Sequence, residues 1–225
     1  MTLFRDRRHA GDALAERLER YRGSNALVLG LPRGGVVVAA QVARGLDAEL
    51  DVVVARKLGS PVSPELAIGA VTANGGRFLN DDVIAAFGVS EAYIEAVTAV
   101  QRAEARRREA DLRAHRPAPS IAGRVVILVD DGLATGATMR AAVRSVRQHR
   151  PRRLVVAVPV GAPEACAALR SEADDVVSLY EPVDFGAVGR FYGEFSQTED
   201  AEVRALLTDA TRGGASALAS RASHP

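Results

Sequence analysis

Apolar residues in this chain fall into two patterns: short dense runs, and longer segments where they recur every three or four positions. Ala26 to Gly30, Leu50 to Ala55, Val125 to Val129, Arg153 to Val160 and Val176 to Leu179 are mostly apolar runs rich in β-branched residues. Such runs fit strands buried on both faces, as in a parallel sheet. The segments between them have helical spacing. Arg7 to Arg20 sets Ala10, Leu14 and Leu18 among charges and reads as a surface helix. An apolar helix is predicted from Val36 to Arg44, another from Met139 to His149, and short ones over Pro163 to Ser171 and Asp200 to Leu207. The strand–turn–helix–strand order over residues 26–55 is a βαβ unit, whose crossover is normally right-handed. The pattern predicts an α/β fold, a central parallel sheet flanked by helices.

Two segments depart from it. In residues 58–80, Gly59, Pro61, Pro64, Gly69, Gly75 and Gly76 interrupt short apolar pieces, which suggests a mobile loop or hairpin. Asp81 then reads as the cap of a long helical region through Ala114, with Ile84, Phe87, Ile94, Val97 and Gln101 on one face; Pro117 and Pro119 follow it. The second departure is the stretch EPVDFGAVGRFYGEFSQTED. It concentrates Phe185, Phe191, Tyr192 and Phe195 in a chain with 4% aromatic residues, as a small packed cap or one wall of a pocket would. One domain is expected over residues 1–210, with its core at about 20–180. Residues 181–200 and the N-terminal elements would form a hood, and 211–225 a flexible tail.

Composition narrows the class. The 225 residues are 48% hydrophobic and 25% charged, as in a globular protein. Lys+Arg 29 against Asp+Glu 28 leaves a net charge of +1, which gives no support for nucleic-acid or membrane partners. The basic cluster Arg106-Arg107-Arg108 is interleaved with acids and reads as a solvated helix face. A single cysteine, Cys166, excludes an intrachain disulfide framework and fits a reducing cytoplasm. The first residues lack the apolar core of a secretory signal. No uncharged run approaches the roughly 20 residues of a membrane span.

The most informative stretch is VVILVDDGLATGAT, residues 125–138. A buried strand runs into two adjacent acids, Asp130 and Asp131, and then into a turn of Gly, Ala and Thr that opens a helix. Small residues let backbone N–H groups gather around an anion at a helix start. Two carboxylates before such a cradle suit a ligand carrying hydroxyls and a phosphate, of which a sugar phosphate is the simplest.

This stretch resembles the ribose-5-phosphate signature of type I phosphoribosyltransferases. LPRGG (Leu31 to Gly35) sits where that family has its pyrophosphate loop, and Arg56-Lys57 where a basic pair ends the next strand. Together with RKLG…PELAIGAV and FYGEFSQTED, these segments look like a bacterial group of phosphoribosyltransferase-like proteins of unsettled substrate. The resemblance covers roughly residues 20–195 and implies a Rossmann-like core with a small hood and a homodimer. It also implies a transferase that uses Mg²⁺ and phosphoribosyl pyrophosphate (PRPP), passes phosphoribose to a nitrogenous acceptor such as a nucleobase, and releases pyrophosphate.

On this resemblance Asp130 and Asp131 accept hydrogen bonds from the ribose diol and favour positive charge developing on the ring. Ala134, Thr135, Gly136, Ala137 and Thr138 cradle the 5-phosphate. Arg33, Gly34, Gly35, Arg56 and Lys57 meet the pyrophosphate, and Mg²⁺ is carried by PRPP and water rather than by direct protein ligands. Arg33 and Lys57 also read as solvated side chains, and Arg56 as the partner of a surface acid. Phe185, Phe191 or Tyr192 could stack on the acceptor and Glu194 accept from it, although core packing is the better reading for any one of these rings. Ala134 stands where hypoxanthine-type members carry an acid, which weakens a 6-oxopurine assignment. Glu65, in the segment 58–80, is the candidate for a general acid or base. A PRPP- or nucleotide-binding regulator without turnover is the alternative. No Walker loop, GxGxxG, GxSxG or CxxC is present.

Overall fold

A computed structural model describes residues 2–210. Five parallel strands form the central sheet: β1 (Leu27–Gly30), β2 (Glu49–Val52), β6 (Val125–Val129), β7 (Arg153–Val160) and β8 (Asp175–Tyr180), in the order β2-β1-β6-β7-β8. The sequence placed β6 and β7 at these same limits, because a run with almost no polar position is buried on both faces. The strand residues alternate between two cores. Val28, Ile127, Val155 and Ala157 face α1 (Arg7–Arg17) and α2 (Gly34–Leu46), with Val203 and Leu207 of a further helical stretch, residues 200–210. Leu29, Val126, Leu128 and Val156 face α5 (Ala137–Gln148) and α6 (Pro163–Arg170). The N-terminal helix is set more deeply than a surface helix, since Ala10, Leu14 and Leu18 are fully buried.

The stretch predicted as one strand from Leu50 to Ala55 is divided. Pairing to β1 ends at Val52, and Ala55 begins β3 (Ala55–Gly59), which belongs to a second sheet. Val53 and Val54 lie outside both strands yet are buried, with the Val53 N–H still donating to Gly30 O at 3.1 Å, so the apolar run continues through the change of sheet. Arg56 and Lys57 accordingly lie inside β3 rather than at the end of the preceding strand.

The supposed loop at 58–80 is an antiparallel three-stranded sheet of β3, β4 (Ala67–Thr72) and β5 (Arg77–Leu79). Leu58, Ile68 and Val71 pack with Val89 and Ile94, whereas Ala70 and Phe78 pack on Ala137 and Ala141 of α5. The single helix expected from Asp81 to Ala114 is two, α3 (Asp81–Ala86) and α4 (Glu91–Leu112), separated at Gly88, which has φ +57°. Asn80, not Asp81, caps α3 by accepting from the Val83 N–H, and Ser90 caps α4 through the Tyr93 N–H. The far end of α4 is held to β2 by a buried ion group. Arg113 bonds Asp51 at 2.8 Å and Glu109 at 2.6 Å, and Glu109 accepts from the Val54 N–H at 3.0 Å.

The aromatic tail packs on the opposite edge of the sheet. Phe185, Phe191 and Tyr192 join Phe4, Ala10 and Val160 in one cluster. The chain start pairs with this tail: Leu3 and Phe4 N–H groups donate to Phe191 O at 2.9 Å, and Gly193 N–H donates to Phe4 O at 2.8 Å. The predicted flexible tail, 211–225, lies outside the described residues. Among the described residues no helix is long and apolar enough to cross a membrane.

Candidate active site

In parallel α/β sheets ligands collect at the carboxyl ends of the strands. There β6 gives way to Asp130 and Asp131, and β1 to Leu31-Pro32-Arg33. The Leu31 N–H donates to Val129 O at 2.9 Å, which sets the two loops side by side. The first turn of α2 then rests on the acids. A Cβ at Gly35 would come within 2.7 Å of Asp130 Oδ1 and 2.9 Å of Val129 O, and one at Gly34 would collide with Asp131 Oδ2. Only glycine lets this backbone lie so close.

The acids are only partly exposed. Asp130 Oδ1 accepts from the Asp131 N–H at 2.9 Å. Burial first, and then the charge of Asp131, push the Asp130 carboxyl well above the ordinary carboxylate range. Burial also raises Asp131, opposed by the Arg7 guanidinium, whose Nε lies 2.7 Å from Asp131 Oδ2. The side chains of Arg7 and Asp131 are 12% and 16% exposed, so this pair is little screened. Arg7 also donates to Ser196 O at 2.7 Å and lies 3.8 Å from the centre of the Phe195 ring. The Tyr192 hydroxyl donates to Asp131 O at 2.6 Å. Burial raises its phenol, and the Asp131 charge adds to the shift, which keeps the donor protonated.

The anion loop expected from the sequence follows. Leu133 is anchored on both sides: its N–H donates to Val160 O at 2.9 Å and its O accepts from the Ala162 N–H at 2.7 Å. Ala134 and Thr135 are exposed, and Gly136 takes φ +75° as the residue before α5. No side chain caps this helix. Its first N–H groups therefore point out with the positive end of the helix dipole, the arrangement that binds phosphate.

Thr138, in the first turn of that helix, lines a cavity of about 540 Å³ with Arg56, Lys57, Ser60, Glu65, Tyr93 and Gln101. Arg56 Nε donates to Gln101 Oε1 at 3.2 Å, the Tyr93 hydroxyl to Gly59 O at 3.1 Å, and Lys57 is exposed. The fold thus brings the basic pair to the anion loop from far along the chain, by way of the antiparallel sheet. Arg33 lies elsewhere, facing the tail. Its Nη1 is 3.9 Å from Glu199 Oε2, and Gln197, with its amide oxygen turned inward, accepts from Nη2 and Nη1 at 2.9 and 3.1 Å.

The predicted acceptor rings Phe185, Phe191 and Tyr192 all lie in the aromatic core, and the Tyr192 hydroxyl bonds the backbone O of Asp131. The ring that stays partly open, 37% exposed, is Phe195, stacked on Tyr192 at 5.0 Å. Reading the sequence alone passes over Arg7, Phe195, Gln197 and Glu199 as site residues. No local signal could have marked Arg7, which lies 124 positions from Asp131.

Comparison with known proteins gives consistent matches. The family model described as phosphoribosyl transferase domain matches residues 6–189. A Mycobacterium tuberculosis protein, provisionally named a phosphoribosyl transferase in strains CDC 1551 / Oshkosh and H37Rv, is 47% identical over 212 residues. That alignment takes in 94% of this chain and 48% of the relative, so the chain spans about half the length of the curated relatives it matches. The crystal structure of the protein TT1426 from Thermus thermophilus is similar at a TM-score of 0.79 and 48% identity, covering 92% of this chain and 99% of that one.

Proposed function

Because the chain belongs to the phosphoribosyl transferase domain family, we propose that it binds PRPP and transfers the phosphoribosyl group to a nitrogenous acceptor, a nucleobase being the simplest. Pyrophosphate leaves with inversion at C1. The observation that carries this reading is the meeting of two half-buried acids, an uncapped helix start and a basic cavity at one end of the sheet. In this reading Asp130 and Asp131 accept from the ribose diol. As bond cleavage puts positive charge on the ring, their negative charge stabilises it in surroundings poor in water. The N–H groups of 134–138, with the hydroxyls of Thr135 and Thr138, take the 5-phosphate. Arg33, with the Gly34 and Gly35 N–H groups, meets the pyrophosphate from the turn before α2, and Arg56 and Lys57 meet it from the cavity they line.

Mg²⁺ prefers oxygen donors and keeps much of its water. The adjacent carboxylates of Asp130 and Asp131 suit a hydrated ion that arrives with PRPP, and when bound it neutralises charge on the leaving group. We further read residues 1–210 as one domain and the working unit as a homodimer in the cytoplasm.

The test is direct. Protein given Mg²⁺, PRPP and a panel of purine and pyrimidine bases should release pyrophosphate with at least one of them, and Asp130→Asn with Asp131→Asn should abolish both release and PRPP binding. No release with any base would sink the transferase reading. PRPP binding lost in the double variant but never followed by turnover would instead mark a binding protein.

A further inference from the structure

The charges that this reading reserves for PRPP are already occupied by the chain's own terminal segments. Asp131, assigned to the diol, is bonded by Arg7 from the first turn of α1. Arg33, assigned to pyrophosphate, faces Glu199 and the turned amide of Gln197. A cation therefore stands where hydrogen-bond donors would approach the acid, and an acid and an amide oxygen stand where an anion would approach the arginine. Both substitutes come from one structure. Residues 193–199 cross the site without regular secondary structure, tied to the chain start by Gly193 N–H to Phe4 O at 2.8 Å and Glu194 N–H to Arg5 O at 2.7 Å. Arg7 closes the crossing by bonding Ser196 O and lying against the Phe195 ring. Beneath the strap the turn at Gly34 and Gly35 presses on the acids.

We propose that residues 193–199 and Arg7 form a latch that PRPP must displace: the protein holds its own ribose and pyrophosphate contacts shut with mimics of the ligand. The strap of the latch, residues 193–199, is held weakly. Glu194 to Gln197 and Glu199 are exposed, Thr198 is the buried residue among them, and an ion pair with an exposed partner is worth little. A ligand that binds only the open form has its affinity reduced by the fraction of protein that is closed. Opening exposes Arg33 to the pyrophosphate first, and the loss of Ser196 and Phe195 from Arg7 then frees that side chain to swing off Asp131.

This inference rests on the reading of the site as one for PRPP, and its test separates the two. Calorimetry with Mg·PRPP, and with inorganic pyrophosphate, compares the full chain with its Gln197→Ala/Glu199→Ala variant, while hydrogen exchange follows residues 193–199. The variant should bind PRPP roughly two- to five-fold more tightly, the size expected for release of weak, exposed contacts. In the unaltered protein PRPP should speed exchange at the Gly193 and Glu194 amides. Equal affinities, or a strap that exchanges more slowly with PRPP bound, would overturn the latch while leaving PRPP recognition intact. If neither protein binds PRPP, the reading of the site fails and the latch with it.

Discussion

Replacing Asp130 by Asn should make the unliganded protein more stable while destroying its proposed function. The substitution keeps the size of the side chain and an oxygen to accept the Asp131 N–H, now bonded at 2.9 Å; it removes only the charge. That charge is costly where it sits. Burial and the neighbouring Asp131 hold the Asp130 carboxyl well above its ordinary value of 3.8, and Arg7 bonds Asp131 rather than Asp130. A carboxyl raised in the folded state binds its proton more tightly there than in the unfolded chain. Its contribution to stability is therefore full below 3.8 and is lost as pH rises through the folded value. The two acids titrate as a pair, so part of the relief falls to Asp131. A gain of about 0.5–2 kcal/mol at neutral pH, the range usual for a single stabilising substitution, follows, or roughly 1–8 °C in Tm for a chain of this size. Urea and thermal unfolding at a series of pH values would measure it, with the advantage of the variant shrinking toward zero near pH ~4. A variant less stable than the parent at neutral pH, or an advantage that does not change with pH, would refute the account of the buried pair.

Three further outcomes follow from the same contacts. Gly35→Ala places a Cβ 2.8 Å from Asp130 Cα and 2.9 Å from Val129 O, both backbone atoms that cannot swing aside; a loss of about 1–3 kcal/mol in denaturant unfolding is expected, with weakened PRPP binding. Arg113→Ala strips the cation from Asp51 and Glu109, which stay buried, and should cost about 3–5 kcal/mol, read as a lower urea midpoint. Cys166 is fully buried and burial pushes its thiol up to about 11, so a thiol reagent at mildly alkaline pH should label it only as fast as the protein opens. Immediate labelling of the native protein would contradict its position on the buried face of α6.

How much of this was legible in the sequence depends on the range over which each feature is decided. The runs at 125–129 and 153–160 became β6 and β7 at the predicted limits, since burial on both faces leaves almost no polar position to blur the pattern. The acids, the small-residue turn and the start of α5 were readable together because a strand end, an anion loop and a helix start are one local unit. Where burial and backbone pairing part company, reading from composition failed. Val53 and Val54 are buried outside either strand, so one apolar run hid the passage from one sheet to another and displaced Arg56 and Lys57 from their expected place. Helical spacing ran on through Gly88, although its left-handed backbone separates α3 from α4 there.

By itself, the sequence determined the alternation of buried strands and amphipathic helices and the chemistry carried on the turn after β6, because both are properties of neighbouring residues. Only the tertiary structure decided what faces those acids. Arg7 reaches Asp131 across 124 positions, Lys57 and Thr138 share a cavity across a second sheet, and Glu199 reaches Arg33 by the path of the tail. Charge and hydrogen bonding act over a few ångströms in space, and no spacing along the chain records which distant residues the fold will bring within that reach.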